Sequence, residues 1–139
     1  VHAPVLDTVW YGSIDCGSFI IKKESEPQKI TANRLDKETT KIVSSRSHSN
    51  NPKLKQYLKQ FKNYELIKMG SSIKMCLVAD GTAHCYPRFG PTMEWDTGAA
   101  HSVVKYAGGN IVDINTNKEL RYNKKNLLNP EFIVKPKEK

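Results

Sequence analysis

Hydrophobic and polar positions alternate at the start of the chain and then change period. Residues 9–14 (VWYGSI) and 19–22 (FIIK) read as the two strands of a hairpin, with turn chemistry at Asp15-Cys16-Gly17. Residues 40–45 (TKIVSS) form a short apolar run, the mark of a buried strand. Asn51 offers an N-cap, and Pro52 stands at the first helical position, where its absent N–H does no harm. Leu54, Tyr57, Leu58 and Phe61 recur at helical spacing and predict an amphipathic helix over 52–61. Residues 64–69 (YELIKM) read as a second strand. Gly70-Ser71-Ser72 opens a helix that runs to about Ala79 and stops at Asp80-Gly81. Residues 83–87 (AHCYP) read as a third strand closed by Pro87. A helix over 97–107 ends at Gly108-Gly109, and 110–114 (NIVDI) is a fourth strand.

Strand-helix-strand units with short connections imply parallel strands and right-handed crossovers. The expected class is therefore α/β: a mixed, mainly parallel sheet with flanking helices. Parallel strands place all their C-terminal ends on one edge, where open α/β sheets bind ligands. The polar residues after each strand then converge. The first strand ends in Ser45-Arg46-Ser47-His48, the second in Gly70-Ser71-Ser72 with Lys74 close behind, and the third in Tyr86-Pro87-Arg88. These types suit an oxyanion. Ser71 and Ser72 supply hydroxyl donors, Arg46 and Arg88 can fork onto oxygens, Lys74 is a point charge, and His48 can donate to a phosphate or a base. Taken singly each has a plainer reading: Ser72 as a helix cap, Arg88 in a surface ion pair, His48 as a loop residue. Their convergence on one crevice favours a polar ligand.

Composition narrows the field. A chain of 139 residues is one domain or one large lobe. No apolar run reaches membrane-spanning length, and repeats and low-complexity tracts are absent. Cys16, Cys76 and Cys85 form no CxxC spacing and cannot all pair, which argues against a disulfide framework or zinc and for a reducing, cytoplasmic setting. Cys76 and Cys85 are expected in the core. Net charge is +8, which raises the alternative of a basic nucleic-acid- or protein-binding module. Its distribution weakens that reading, because the excess lies on Lys53, Lys55, Lys59 and Lys62, on the linker 22–41 and on the tail 135–139. The stretch richest in unusual residues, 70–115, is nearly neutral. No nucleic-acid polymer is expected as a partner.

One carboxylate stands out. In the run Met93-Glu94-Trp95-Asp96-Thr97, Asp96 is expected to be the N-cap of the third helix, one oxygen taking a backbone N–H. Its second oxygen stays free beside the anion crevice, a good ligand for Mg²⁺, which prefers carboxylates plus substrate oxygens. Glu94 is expected to be solvent-exposed.

From about residue 40 to 101 the chain resembles the bacterial CysQ-type 3'(2'),5'-bisphosphate nucleotidases of the inositol-monophosphatase-like superfamily. The resemblance rests on Ser45-Arg46-Ser47-His48, Gly70-Ser71-Ser72-Ile73-Lys74, Tyr86-Pro87-Arg88-Phe89-Gly90-Pro91-Thr92 and Trp95-Asp96-Thr97, with weaker similarity at Val1-His2-Ala3-Pro4-Val5 and Asn126-Leu127-Leu128-Asn129-Pro130. The superfamily pattern W-D-x-A-A-G-H reads Trp95-Asp96-Thr97-Gly98-Ala99-Ala100-His101 here, with glycine and alanine exchanged. The first family signature, D-P-L-D-G-T, which brings most metal ligands, does not occur. The resemblance implies the second half of a layered α/β/α/β/α sandwich. Residues 1–39 would belong to the end of an N-terminal lobe, 40–134 would form the C-terminal α/β lobe, and 135–139 would be a basic tail. It also implies a Mg²⁺-dependent phosphatase that takes the 3'-phosphate from adenosine 3',5'-bisphosphate, with the N-terminal half as a further partner. Asp96 would hold metal and contact substrate; Arg46, His48, Ser71, Ser72, Lys74, Tyr86 and Arg88 would position the nucleotide bisphosphate. An inositol or sugar monophosphatase is the alternative within the superfamily.

Overall fold

In a computed structural model, which describes residues 1–33, 38–45 and 51–137, the N-terminal alternation becomes a four-stranded antiparallel sheet. Its strands β1 (His2–Ala3), β2 (Thr8–Ser13), β3 (Gly17–Lys22) and β4 (Gln28–Ile30) pair in chain order. The hairpin β2–β3 puts Trp10 opposite Ile20, both buried, and Tyr11 opposite Phe19, whose rings stack 5.5 Å apart. The period of two thus divides the hairpin into an inner and an outer face. Tyr11 stays exposed on the outer face, as do Val5 and Leu6 before β2 and Ile14 between the two strands. β4 lies within what the sequence suggested was linker.

The remaining elements are β5 (Thr40–Ser45), α1 (Pro52–Leu58), β6 (Tyr64–Met69), α2 (Ile73–Ala79), β7 (Tyr86–Arg88), α3 (Glu94–Tyr106), β8 (Gly109–Asp113) and β9 (Phe132–Pro136). β5 and β6 pair in parallel, Thr40 to Tyr64 through Ser45 to Met69. A parallel bridge from Ile42 to Cys85 and the bond from Val43 N to Cys85 O (2.9 Å) join β5 to the start of β7. β9 lies antiparallel between β7 and β8. The spatial order is β6-β5-β7-β9-β8, with β9 alone running against the other four. The sheet is mixed and mainly parallel in direction, as expected. Two details differ. Pro87 does not close its strand, because β7 continues through it to Arg88 in register with β9; a proline is tolerated where the ladder does not ask it for a donor. Lys135 and Pro136, expected in a basic tail, belong to β9.

Neighbouring residues of β5 point to opposite faces and reveal the layers. Ile42 packs with Leu54, Leu58 and Cys85 beneath α1. Val43 faces the larger core with Met75, Cys76 and Val78 of α2, Val103 and Val104 of α3, Ile111, Phe132 and Val134. Trp10, Ile20 and Ile30 close the same core from beyond the helices. The layers therefore run α1, five-stranded sheet, α2 with α3, and the N-terminal sheet. Residues 1–30 share the core of the rest of the chain. Ser18 donates to Val103 O at 2.7 Å, and Trp10 Nε1 donates to Asp80 Oδ2 at 3.0 Å. Gly12 allows the close approach of β2 to α3, since a Cβ there would lie 3.1 Å from Ser102 O and 3.2 Å from Val103 Cα. Among the described residues no helix is long and apolar enough to cross a membrane.

Candidate active site

The C-terminal ends of β5, β6 and β7 meet the first turn of α3 around one open cavity of about 390 Å³. Its walls include Ser45, Ser71, Ser72, Lys74, Tyr86, Arg88 and Asp96, so the edge convergence read from the sequence is present in space. Trp95 and Thr97, which the sequence offered only as neighbours of Asp96 in its motif, also line it, as does Phe132, which was not singled out. Phe132 comes from β9, whose apolar run FIV carried a strand signal that the following Lys-Pro-Lys obscured. Arg46 and His48 lie outside the described residues.

Two cations occupy this cavity without an ion-pair partner among the described residues. Lys74, on the first turn of α2, is only 6% exposed. Its Nζ donates to Ser71 O at 2.8 Å and sits 5.4 Å from the centre of the Tyr86 ring. Burial, with the charge of Arg88 second, pushes the Lys74 ammonium down to about 8. Tyr86 is itself buried and packs edge-on against Phe132, and burial pushes its phenol up to about 12. Arg88 donates one N–H to Pro91 O at 3.3 Å, while its buried Nε has no partner. An unpaired buried donor and an ammonium without a counter-ion each cost free energy. Ser71 has a left-handed backbone (φ 55°), and Ser72 precedes α2 without making a side-chain cap, so the cap reading for Ser72 does not hold.

Asp96 is not an N-cap. α3 starts at Glu94, three residues earlier than the expected 97, and Asp96 stands in its first turn. The reason is a long-range contact: Met93 bridges to Leu128, and Glu94 N donates to Leu127 O at 3.0 Å. The Asp96 carboxylate reaches back, Oδ2 accepting the Met93 N–H at 2.8 Å. This is the third-position half of a capping box. Oδ1 takes no hydrogen bond from the described residues, and Asp96 lines the cavity. Glu94, expected in solvent, accepts from Asn123 N at 2.7 Å, Lys124 N at 3.1 Å and Lys124 Nζ. Those bonds, the Lys124 ammonium foremost, hold its carboxyl below the usual range and occupy it.

Behind the first turn lies a polar chain that the sequence did not announce. His101, one turn beyond Thr97, is buried with Nε2 3.1 Å from Glu119 and Nδ1 2.7 Å from the Tyr122 hydroxyl. Burial holds its imidazole below the ordinary range against the pull of Glu119. The Tyr122 hydroxyl also lies 3.2 Å from Thr97 Oγ1, and Asn129 Nδ2 donates to the same Oγ1 at 3.2 Å. Gly98, at the exchanged position of the motif, faces the Tyr122 ring across ordinary van der Waals distance, so its lack of a side chain is not a steric demand.

A single available carboxylate fits one ligand of a hard divalent cation. No group of three His, Cys, Asp or Glu among the described residues could hold a metal unaided. The chain can thus offer an anion pocket with one metal-ligating oxygen at its rim.

The chain is 41% identical over 135 residues to the 3'(2'),5'-bisphosphate nucleotidase CysQ of Shigella flexneri, covering 96% of this chain and 52% of that protein. It is 42% identical over 111 residues to the corresponding protein of Buchnera aphidicola, covering 80% and 40%. The chain spans about half the length of the relatives it matches. The crystal structure of CysQ from Bacteroides thetaiotaomicron superposes with a TM-score of 0.87 at 36% identity, over 99% of this chain and 57% of that one. Mycobacterium tuberculosis SuhB, at 16% identity and a TM-score of 0.66, shares the fold. The inositol monophosphatase family model matches residues 1–139 from end to end, and the chain belongs to that family.

Proposed function

We propose that this chain forms the C-terminal, phosphate-binding half of a metal-dependent phosphatase that removes the 3'-phosphate of adenosine 3',5'-bisphosphate, giving AMP and phosphate. The observation that carries the reading is the pairing in one cavity of two uncompensated cations, Lys74 and Arg88, with the open Oδ1 of Asp96. The names of the 41% and 42% identical relatives point to the nucleotide substrate.

In this reading Lys74 and Arg88 hold phosphate oxygens by charge-assisted hydrogen bonds, and Ser71 and Ser72 add hydroxyl donors. The Tyr86 ring, 5.4 Å from the Lys74 ammonium, supports its charge by a cation–π contact. Arg46 and His48, which follow β5 in sequence and lie outside the described residues, are assigned further nucleotide contacts. Asp96 Oδ1 serves as one ligand for a divalent cation, Mg²⁺ by its preference for carboxylate and phosphate oxygens. Such a metal, when bound, neutralises phosphate charge and lowers the pKa of a coordinated water. The other metal ligands come from the N-terminal half of the full-length enzyme. Hydrolysis breaks the bond between phosphorus and the ribose 3'-oxygen; water adds at phosphorus and the ribose oxygen takes up a proton.

Phosphate release by the full-length enzyme from equal concentrations of adenosine 3',5'-bisphosphate and inositol monophosphate tests the reading. Preference for the nucleotide, abolished by a chelator, is expected. Preference for the inositol ester would transfer the chain to the other branch of the family. Binding of nucleic acid that weakens steeply with salt, with no phosphatase activity, would instead make it a basic binding module.

A further inference from the structure

The segment 119–129 grips the first turn of α3 at several points, and the grips converge on the two residues that fix Asp96. The side chain of Asp96 is tied to the amide of Met93, and its backbone runs directly into Thr97. Asn129, buried to 6% exposure, holds both. Its Nδ2 donates to Met93 O at 2.9 Å and lies 3.2 Å from Thr97 Oγ1, and its own amide donates to Thr92 O at 2.8 Å. Thr97 is 1% exposed, and its hydroxyl donates to Glu94 O at 3.2 Å. Tyr122 makes the second grip on Thr97 Oγ1, and its hydroxyl is anchored in turn by His101 and, through it, by Glu119. None of these groups takes part in the anion contacts of Lys74 and Arg88.

We propose that Asn129, with Tyr122 as a second grip, is a positioning residue that sets the Asp96 carboxylate for metal through Met93 and Thr97. The proposal rests on the reading of Asp96 as a metal ligand given above. A metal ligand binds well only when its rotamer is held, and loss of a group that orients such a ligand typically costs about 10- to 100-fold in metal affinity. Tyr122 and Asn129 lie 26 and more residues beyond Asp96 in sequence, so their effect on the metal is not one that local helix structure would produce.

The test compares Asn129→Ala, Thr97→Val, Thr97→Ser and Tyr122→Phe in the full-length enzyme. Mn²⁺ serves as the probe, its binding followed by electron paramagnetic resonance, beside metal-free AMP binding by calorimetry and Tm. Asn129→Ala should weaken Mn²⁺ binding about 10-fold or more with AMP binding unchanged, and Thr97→Val should weaken Mn²⁺ binding by a similar factor. Thr97→Ser, which keeps the hydroxyl, should restore wild-type Mn²⁺ affinity. Should Asn129→Ala fail to fold, Tyr122→Phe, at the more exposed end of the network, carries the same comparison with a smaller loss. Wild-type Mn²⁺ affinity in Thr97→Val and Tyr122→Phe would overturn the proposal. So would Mn²⁺ and AMP affinities that fall together in step with Tm, since that is the signature of a structural role alone. Wild-type enzyme that binds Mn²⁺ but hydrolyses no nucleotide would count against the functional reading and not against this clamp.

Discussion

The proposed contact of Lys74 with an anion carries a pH limit whose size follows from the surroundings of its ammonium. Burial, and secondarily Arg88, push its ammonium down to about 8. By the titration curve for that value, about three quarters of Lys74 side chains are charged at pH 7.5 and about 3% at pH 9.5. AMP does not change charge over this window, because the second ionisation of a phosphate monoester lies near 6. A hydrogen bond from a charged group contributes about 1.5–3 kcal/mol, or roughly 12- to 160-fold in affinity. Weighting the charged and neutral forms by those factors, AMP affinity should fall about 7- to 20-fold between pH 7.5 and 9.5. Bound phosphate stabilises the charged form, so binding above pH 8 takes up protons. Calorimetry in two buffers of different ionisation enthalpy measures that uptake along with the affinity. Lys74→Met should bind weakly at every pH and show no proton uptake. A wild-type affinity that stays flat over the window, or an equal decline in Lys74→Met, would refute this account of the cavity.

The same depressed pKa makes a stability prediction of opposite sense. The unfolded chain binds more protons than the folded one between pH 8 and the ordinary lysine value, so the penalty of burying Lys74 is full below 8 and fades as pH rises. Thermal melts of Lys74→Met should accordingly show a higher Tm than wild type at pH 7 and a narrowing difference towards pH 10. Arg88→Ala should cost AMP binding about 1.5–3 kcal/mol and move the pH decline upward, since it removes one of the two causes that lower Lys74; calorimetry at several pH values reads both. Gly12→Ala should destabilise by about 1–3 kcal/mol, because its methyl meets Ser18 Oγ and the backbone of α3. Chemical denaturation measures that loss, and AMP affinity of the folded protein should be unchanged.

The legible parts of this molecule were the local ones. β5 announced itself as an apolar run, α1 by Asn51 and Pro52, and the edge that carries the cavity by polar residues after successive strands. What escaped was set by contacts distant in sequence. Asp96 sits before small helical residues and looks like a cap, yet the helix starts at Glu94 because Leu127 and Leu128 pair with Glu94 and Met93. β9 hid because Phe132-Ile133-Val134 runs into Lys-Pro-Lys, and only β7 and β8 on either side make it a central strand. β4 has a single buried residue, Ile30, and no alternation long enough to mark it. The His101-Tyr122-Thr97-Asn129 chain joins positions up to 32 residues apart through side chains that each read as ordinary polar surface.

Asp96→Asn in the full-length enzyme is the most direct test of the central claim, that this chain contributes an anion pocket and one metal-ligating oxygen to a metal-dependent phosphatase. The amide oxygen can still accept the Met93 N–H, so the first turn of α3 and the Tm should be preserved. The charge that holds the metal is gone, so phosphate release from adenosine 3',5'-bisphosphate in Mg²⁺ should vanish while AMP binding to Lys74 and Arg88 persists. Phosphate release by a folded Asp96→Asn enzyme at the wild-type rate would contradict the claim and leave Asp96 with a purely structural part in the first turn of its helix.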